Sequence, residues 1–195
     1  MNINEIPADI LHLYEAHQWR NAIVILAAVH PVEWNDILTV LGTFRLNRSD
    51  IVQRGGGKSN IARKLDGHFT RLGWQEKQFS TKIVVDDVET VSPTHKVDCF
   101  KGRVALEVEW NNKDPFYDRD LNNFRLLFDL RAIDVGVIVT RSDDLTPLLY
   151  KLRGRKSSGS STTHIGQLIP RIEGGGGGGC PVLAFGIKRE AYVED

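Results

Sequence analysis

Cysteine is nearly missing from the chain: Cys99 and Cys180 are the whole supply among 195 residues. Two such residues fit neither a disulfide framework nor a zinc-binding spacing, and Cys99, inside an apolar stretch, is expected to be a small core residue. Excess charge of either sign is also lacking, because Lys plus Arg equals Asp plus Glu at 25 each. That excludes global attraction to nucleic acid and leaves any such affinity to a local concave patch. No secretory leader pattern or apolar run of membrane-spanning length is found, so the expected setting is a reducing cytoplasm with no membrane partner. The six histidines (His12, His17, His30, His68, His95 and His164) show no metal-ligand spacing. Gly55-Gly-Gly-Lys-Ser59 is not a phosphate loop, since Val52 stands where that motif needs a glycine and polar sequence precedes it. These glycines read as a connector, with Ser59 capping a helix from Asn60 to Leu72.

What is present is a chain with 41% hydrophobic residues, enough for one domain with a sizeable core over residues 1–195. Residues 9–14 read as a strand or a helix start. The run Ala22 to Val29 reads as a buried helix, and Pro31 opens another at a position where its missing N–H costs nothing. In that second helix Val32, Ile37, Leu38, Val40 and Leu41 give either ordinary core or spare apolar surface for a dimer. Thr81 to Glu89 is expected to be one strand, Asp118 to Ala132 an amphipathic helix, and Val135 to Val139 a strand covered on both faces. Asp144 to Leu152 reads as helical. The six glycines from Gly174 to Gly179 read as a flexible loop before the strand Val182 to Phe185.

The chemistry-bearing stretch is His95 to Trp110. At period two, Val104, Leu106, Val108 and Trp110 share one strand face, while Arg103, Ala105, Glu107 and Glu109 share the other. If Lys101-Gly102 makes the turn, Asp98 stands opposite Ala105 and diagonal to Glu107, a separation that a shared cation bridges. Asp98 and Glu107 would then be hard oxygen ligands for Mg²⁺, with Glu109 near a metal-bound water. The competing reading is a solvated charged face with Lys96 opposite Glu107, and a one-residue slip of register would turn Asp98 away. Asp86, Asp87 and Glu89 are candidates for a further acidic group.

Asp98, eight intervening residues, then Glu107-Val-Glu109 resembles the D…E-x-E variant of the PD-(D/E)XK nuclease core found in type II restriction endonucleases of the BamHI, BglII and BstYI kind. Gly73-Trp74 closing a helix, Arg103-Val-Ala-Leu-Glu-Val, and Ile133-Asp-Val-Gly-Val after a helix are similar to BglII and BstYI in the same order. The similarity covers roughly residues 59–188, which would form the catalytic core, with residues 1–54 a helical part and possible dimer interface. Two departures stand out: Val97 replaces the Pro that often precedes the Asp, and Glu109 replaces the usual Lys. The resemblance implies an α/β restriction-endonuclease-like fold with a mixed central sheet flanked by helices. It also implies a homodimer that cuts double-stranded DNA at a short palindrome built around GATC, leaving 5′-phosphates. Asp98, Glu107 and the Val108 carbonyl would hold Mg²⁺, and Glu109 would direct the water. The polar segment 153–164 falls where such enzymes carry a base-reading loop. Its candidate DNA contacts are Arg153, Arg155, Lys156, Ser157, Ser158, Ser160, Ser161, Thr162, Thr163 and His164. Another PD-(D/E)XK repair or resolvase nuclease, or a non-catalytic α/β DNA-binding module, are the alternatives.

Overall fold

A computed structural model describes residues 5–52, 58–110, 112–154 and 162–195. In chain order its elements are α1 (Ala8–Leu13), β1 (Tyr14–Trp19), α2 (Ala22–Val29), α3 (Pro31–Thr43), β2 (Leu46–Asn47), α4 (Arg48–Val52), α5 (Asn60–Arg71), β3 (Gln75–Lys77), β4 (Ser80–Val85) and β5 (Val88–Pro93). These are followed by β6 (Val97–Lys101), β7 (Val104–Val108), α6 (Pro115–Asp129), β8 (Val135–Arg141), α7 (Thr146–Arg153), α8 (Ile165–Glu173), β9 (Val182–Ile187) and β10 (Tyr192–Val193). Six strands form one sheet in the order β1-β9-β8-β7-β6-β3. The β7–β8 and β8–β9 pairs are parallel and the other pairs antiparallel, so the sheet is mixed.

Helices cover both sheet faces, which explains why β7, β8 and β9 are buried at every residue. Val104, Leu106 and Val108 pack with residues of α2, α3 and α5 on one side, and Ala105 and Ile138 pack with α6 and α8 on the other. Gly136 in β8 lets α6 approach, since a Cβ there would lie 2.2 Å from Phe124. Ser59 caps α5 as its sequence suggests, accepting from the Ala62 N–H at 3.1 Å. Pro31 opens α3, where Ile37, Val40 and Leu41 are core while Val32 is 57% exposed.

Several expectations change. Tyr14–Trp19 is an edge strand paired with β9, so the N-terminal part is not only helical. The single strand expected over Thr81 to Glu89 is a hairpin, β4 with β5, in a separate two-stranded sheet. Asp86 and Asp87 make its turn with φ of 48° and 67°, the left-handed pair that matches strand twist. This removes Asp86 and Asp87 from the acidic hairpin, and Glu89 pairs instead with Lys82 across the strands at 2.9 Å. The glycine run is hydrogen-bonded turn rather than flexible loop. Gly174, Gly175 and Gly176 donate to the carbonyls of Pro170, Ile172 and Arg171, and Gly178 to that of Gly175. Helix α8, which precedes it, has an apolar face of Ile165, Leu168 and Ile172 that the polar sequence before it obscured.

Candidate active site

The turn between β6 and β7 is Gly102-Arg103, not Lys101-Gly102, because Lys101 pairs with Val104, Phe100 with Ala105 and Cys99 with Leu106. Gly102 takes φ +56°, a conformation that glycine adopts without Cβ strain and Lys101 would not. The register therefore moves by two residues, which preserves the faces and sets Asp98 against Glu107 rather than Ala105. The Asp98 N–H donates to Glu107 Oε2 at 3.2 Å, and Asp98 Oδ2 accepts from the Val108 N–H at 3.3 Å. Lys96 is displaced from Glu107 and pairs with Glu76 at 2.8 Å. A bulge assists: β3 spends two steps, Gln75 to Lys77, where β6 spends three, Val97 to Phe100. The extra residue swings Val97 into the same core layer as Phe100, next to the Asp that the sheet must present.

The solvated-face reading fails on burial. Glu107 is 1% and Glu109 2% exposed. Burial, reinforced by the charges of Asp120 and Asp98, pushes Glu107 well above the usual carboxylate range. Glu109 is pushed up to about 9, first by burial and then by Asp120. Asp120 is wholly buried and likewise raised by desolvation. Glu107 Oε1 has no hydrogen-bond partner, and the Glu109 and Asp120 carboxyls lie within hydrogen-bond reach of each other. Carboxylates in such a place call for a cation or a proton.

Cations approach from two sides. Lys58 Nζ is 3.0 Å from Asp98 Oδ1 and also pairs with Asp66; burial works against its charge, but the two carboxylates outweigh it and raise its pKa. Arg119 Nη2 donates to Glu109 Oε1 at 3.3 Å, and Asn112 Nδ2 to Oε2 at 2.6 Å. Lys58, His95, Asp98, Glu109, Asn112 and Arg119 line one cleft of about 300 Å³ at the carboxyl end of β7. Asp66, Asn112, Arg119 and Asp120 all escaped the sequence reading, and Lys58 stood out only as one of several basic residues near α5. Asp66 and Lys58 precede the hairpin by some thirty residues or more, and Asp120 looked like one more polar position on an amphipathic helix.

A family model for the restriction endonuclease BglII/BglIII matches residues 14–187. The chain belongs to the BglII/BglIII restriction endonuclease family. It is thus a type II restriction endonuclease, a site-specific deoxyribonuclease acting on double-stranded DNA, with the restriction-endonuclease fold. No curated protein sequence matches the chain. Membership explains the cleft, since restriction endonucleases generally use divalent metal ions. The donor set fits one in kind: Asp98 and Glu107 offer hard oxygens, and one Glu107 oxygen is buried without a partner. Among the described residues no group of three or more His, Cys, Asp or Glu converges to enclose a metal, so main-chain oxygen, water or DNA would have to complete the shell. Among the described residues no single helix is long and apolar enough to cross a membrane.

The DNA-reading candidates of this restriction endonuclease are split. Arg155, Lys156, Ser157, Ser158, Ser160 and Ser161 lie outside the described residues. Arg153 ends α7, and Thr162 bridges to Lys113 and accepts from Arg141 at 2.8 Å. Thr163 is fully buried, and His164 sits against Asp143. Thr162 to His164 themselves lie beyond the carboxyl ends of β7 and β8, the side that holds the carboxylates.

Proposed function

We propose that this restriction endonuclease is a Mg²⁺-dependent enzyme of the PD-(D/E)XK class with a D…E-x-E site of the BamHI and BstYI kind. It acts as a cytoplasmic homodimer and cuts a short palindrome containing GATC to leave 5′-phosphates. The observation that carries the reading is Glu107, buried beside Asp98 with one oxygen unpartnered. Asp98, Glu107 and the Val108 carbonyl would hold the cation. When bound, the metal supplies positive charge to the scissile phosphate and lowers the pKa of a water. Glu109 orients the attacking water or accepts its proton at an oxygen facing the cleft. The new water oxygen to phosphorus bond forms as the bond to the 3′ oxygen breaks, which leaves the phosphate on the 5′ side. Lys58 offsets the Asp98 carboxylate where the DNA backbone approaches.

Residues 153–164 are the base-reading segment, with Arg155 and Lys156 as its cationic members. Residues 1–195 act as one unit, and Val24, Val29 and Val32, at 43%, 61% and 57% exposure, supply apolar surface for the dimer. A two-fold dimer matches a palindrome and gives each strand one active site. The test is incubation with phage DNA and Mg²⁺, then sequencing of the fragment ends. Discrete fragments with 5′-phosphates at one GATC-containing palindrome are expected. Random nicks would favour a shape-reading repair nuclease, and a site without GATC would remove that part of the specificity.

A further inference from the structure

Each carboxylate oxygen of Glu109 already accepts from a fixed donor. Asn112 holds Oε2 at 2.6 Å and Arg119 holds Oε1 at 3.3 Å. The Arg119 guanidinium is itself locked. Its Nε and Nη2 donate to Asp120 Oδ1 at 2.9 and 2.8 Å, and it lies 4.3 Å above the centre of the Phe116 ring. Asp120 is wholly buried in α6, so it gives Arg119 a rigid footing, whereas Arg119 remains one-third exposed on the cleft wall. The charges make this footing necessary. Glu107, Glu109 and Asp120 are mutually close buried carboxyls, and like charges at such range push one another apart or take up protons. Among the described residues Arg119 is the one cation in ion-pair contact with both Glu109 and Asp120.

We propose that Arg119 is a positioning residue that keeps the Glu109 carboxylate aimed into the cleft, with Asp120 as its anchor. The inference rests on the assignment of Glu109 to the cleavage step. It ties α6 to the chemistry of β7, and it explains why an Arg-Asp pair stands beside a strand that brings no cation of its own at position 109.

A double-mutant cycle tests it by single-turnover cleavage of phage DNA with enzyme in excess, using parent, E109A, R119A and E109A/R119A. Displacing a water-directing group by about 1 Å costs on the order of 10²-fold, so R119A is expected to be about 10- to 100-fold slower. R119K, which restores the charge without the planar fork, should recover part of that loss. The double variant should cleave at the E109A rate within about twofold, because Arg119 acts only through Glu109. DNA affinity in EDTA should stay within about threefold of the parent, since a positioning role does not bind DNA. D120N keeps the shape of the anchor and weakens its charge, so it should give a smaller loss that also vanishes in the E109A background; it replaces R119A should that variant fail to fold. Parental cleavage by R119A with a slow E109A would overturn the inference and leave the Glu109 assignment standing. Losses that multiply in the double variant would also overturn it, by showing that Arg119 acts on DNA directly. Parental cleavage by E109A would overturn the assignment itself and the inference with it.

Discussion

The β6–β7 hairpin carries acidic clusters at both ends, and the two are built in opposite ways. At the turn end Asp134 and Asp36 each accept from a cation and a second donor. Asp134 takes two hydrogen bonds from Arg103 at 2.7 and 2.6 Å and one from His30 at 3.0 Å. Asp36 accepts from Lys101 at 2.7 Å and from the Trp74 indole at 2.9 Å. Arg103 holds Asp134 below the usual carboxylate range. At the cleft end Glu107 keeps an oxygen without a partner, the Glu109 and Asp120 carboxyls face each other, and all three are shifted upward. Both ends hold similar residue types, so satisfaction rather than composition separates a structural ion network from a reactive one.

The sharpest way to break this comparison is to remove a carboxylate from each end. Glu107→Ala or Asp98→Ala should abolish DNA cleavage while the far-ultraviolet circular dichroism stays that of the parent; cleavage by either variant would remove the metal assignment. Asp36→Ala should leave cleavage per folded molecule unchanged and cost stability instead. It leaves Lys101 with the Leu72 carbonyl and strands the buried Trp74 N–H, a loss of roughly 3 kcal/mol, or about 6–12 °C in melting temperature. Equal stability by thermal denaturation would show that the turn network is dispensable.

Acidity separates the ends by sign. Glu109 moves from an ordinary 4.5 to about 9 on folding, so its folded form prefers the proton. Its contribution to stability is full below the unfolded value and is lost as pH rises from about 4.5 toward about 9. Asp134 is shifted down, so its contribution is present above its ordinary value of 3.8 and is lost as pH falls below it. In EDTA the melting temperature of the parent should therefore fall from pH 5 to pH 9, and Glu109→Gln should flatten that slope. Identical slopes for the two proteins would contradict the burial of Glu109.

Two smaller effects refine the turn end. Gly102→Ala forces a side chain into φ +56° and to 2.7 Å from Glu33, costing about 1–2 kcal/mol without loss of cleavage. Asp134→Asn weakens a pair whose Arg103 side chain is 48% exposed, and such pairs contribute at most about 1 kcal/mol. Chemical denaturation would measure both, and a larger loss for Asp134→Asn than for Asp36→Ala would reverse the ranking by burial.

By itself the sequence determined much of this protein. The continuous β-branched run of β8, the proline opening α3, the Ser59 cap and the period-two faces of β7 are local features, set by torsional preference and side-chain spacing along the chain. The Asp98 and Glu107-Val-Glu109 spacing was legible for the same reason: both acids lie on one hairpin. The tertiary structure alone decided the register of that hairpin. It depends on which residue tolerates a positive φ and on a bulge against β3, and a two-residue shift leaves the face pattern unchanged. Only packing against α6 shows that Glu107 and Glu109 are buried, since strand periodicity looks the same under helix or water. Lys58, Arg119 and Asp120 reach the cleft from α6 and from the segment before α5, and their contacts with the hairpin depend on the packing of elements far apart in sequence.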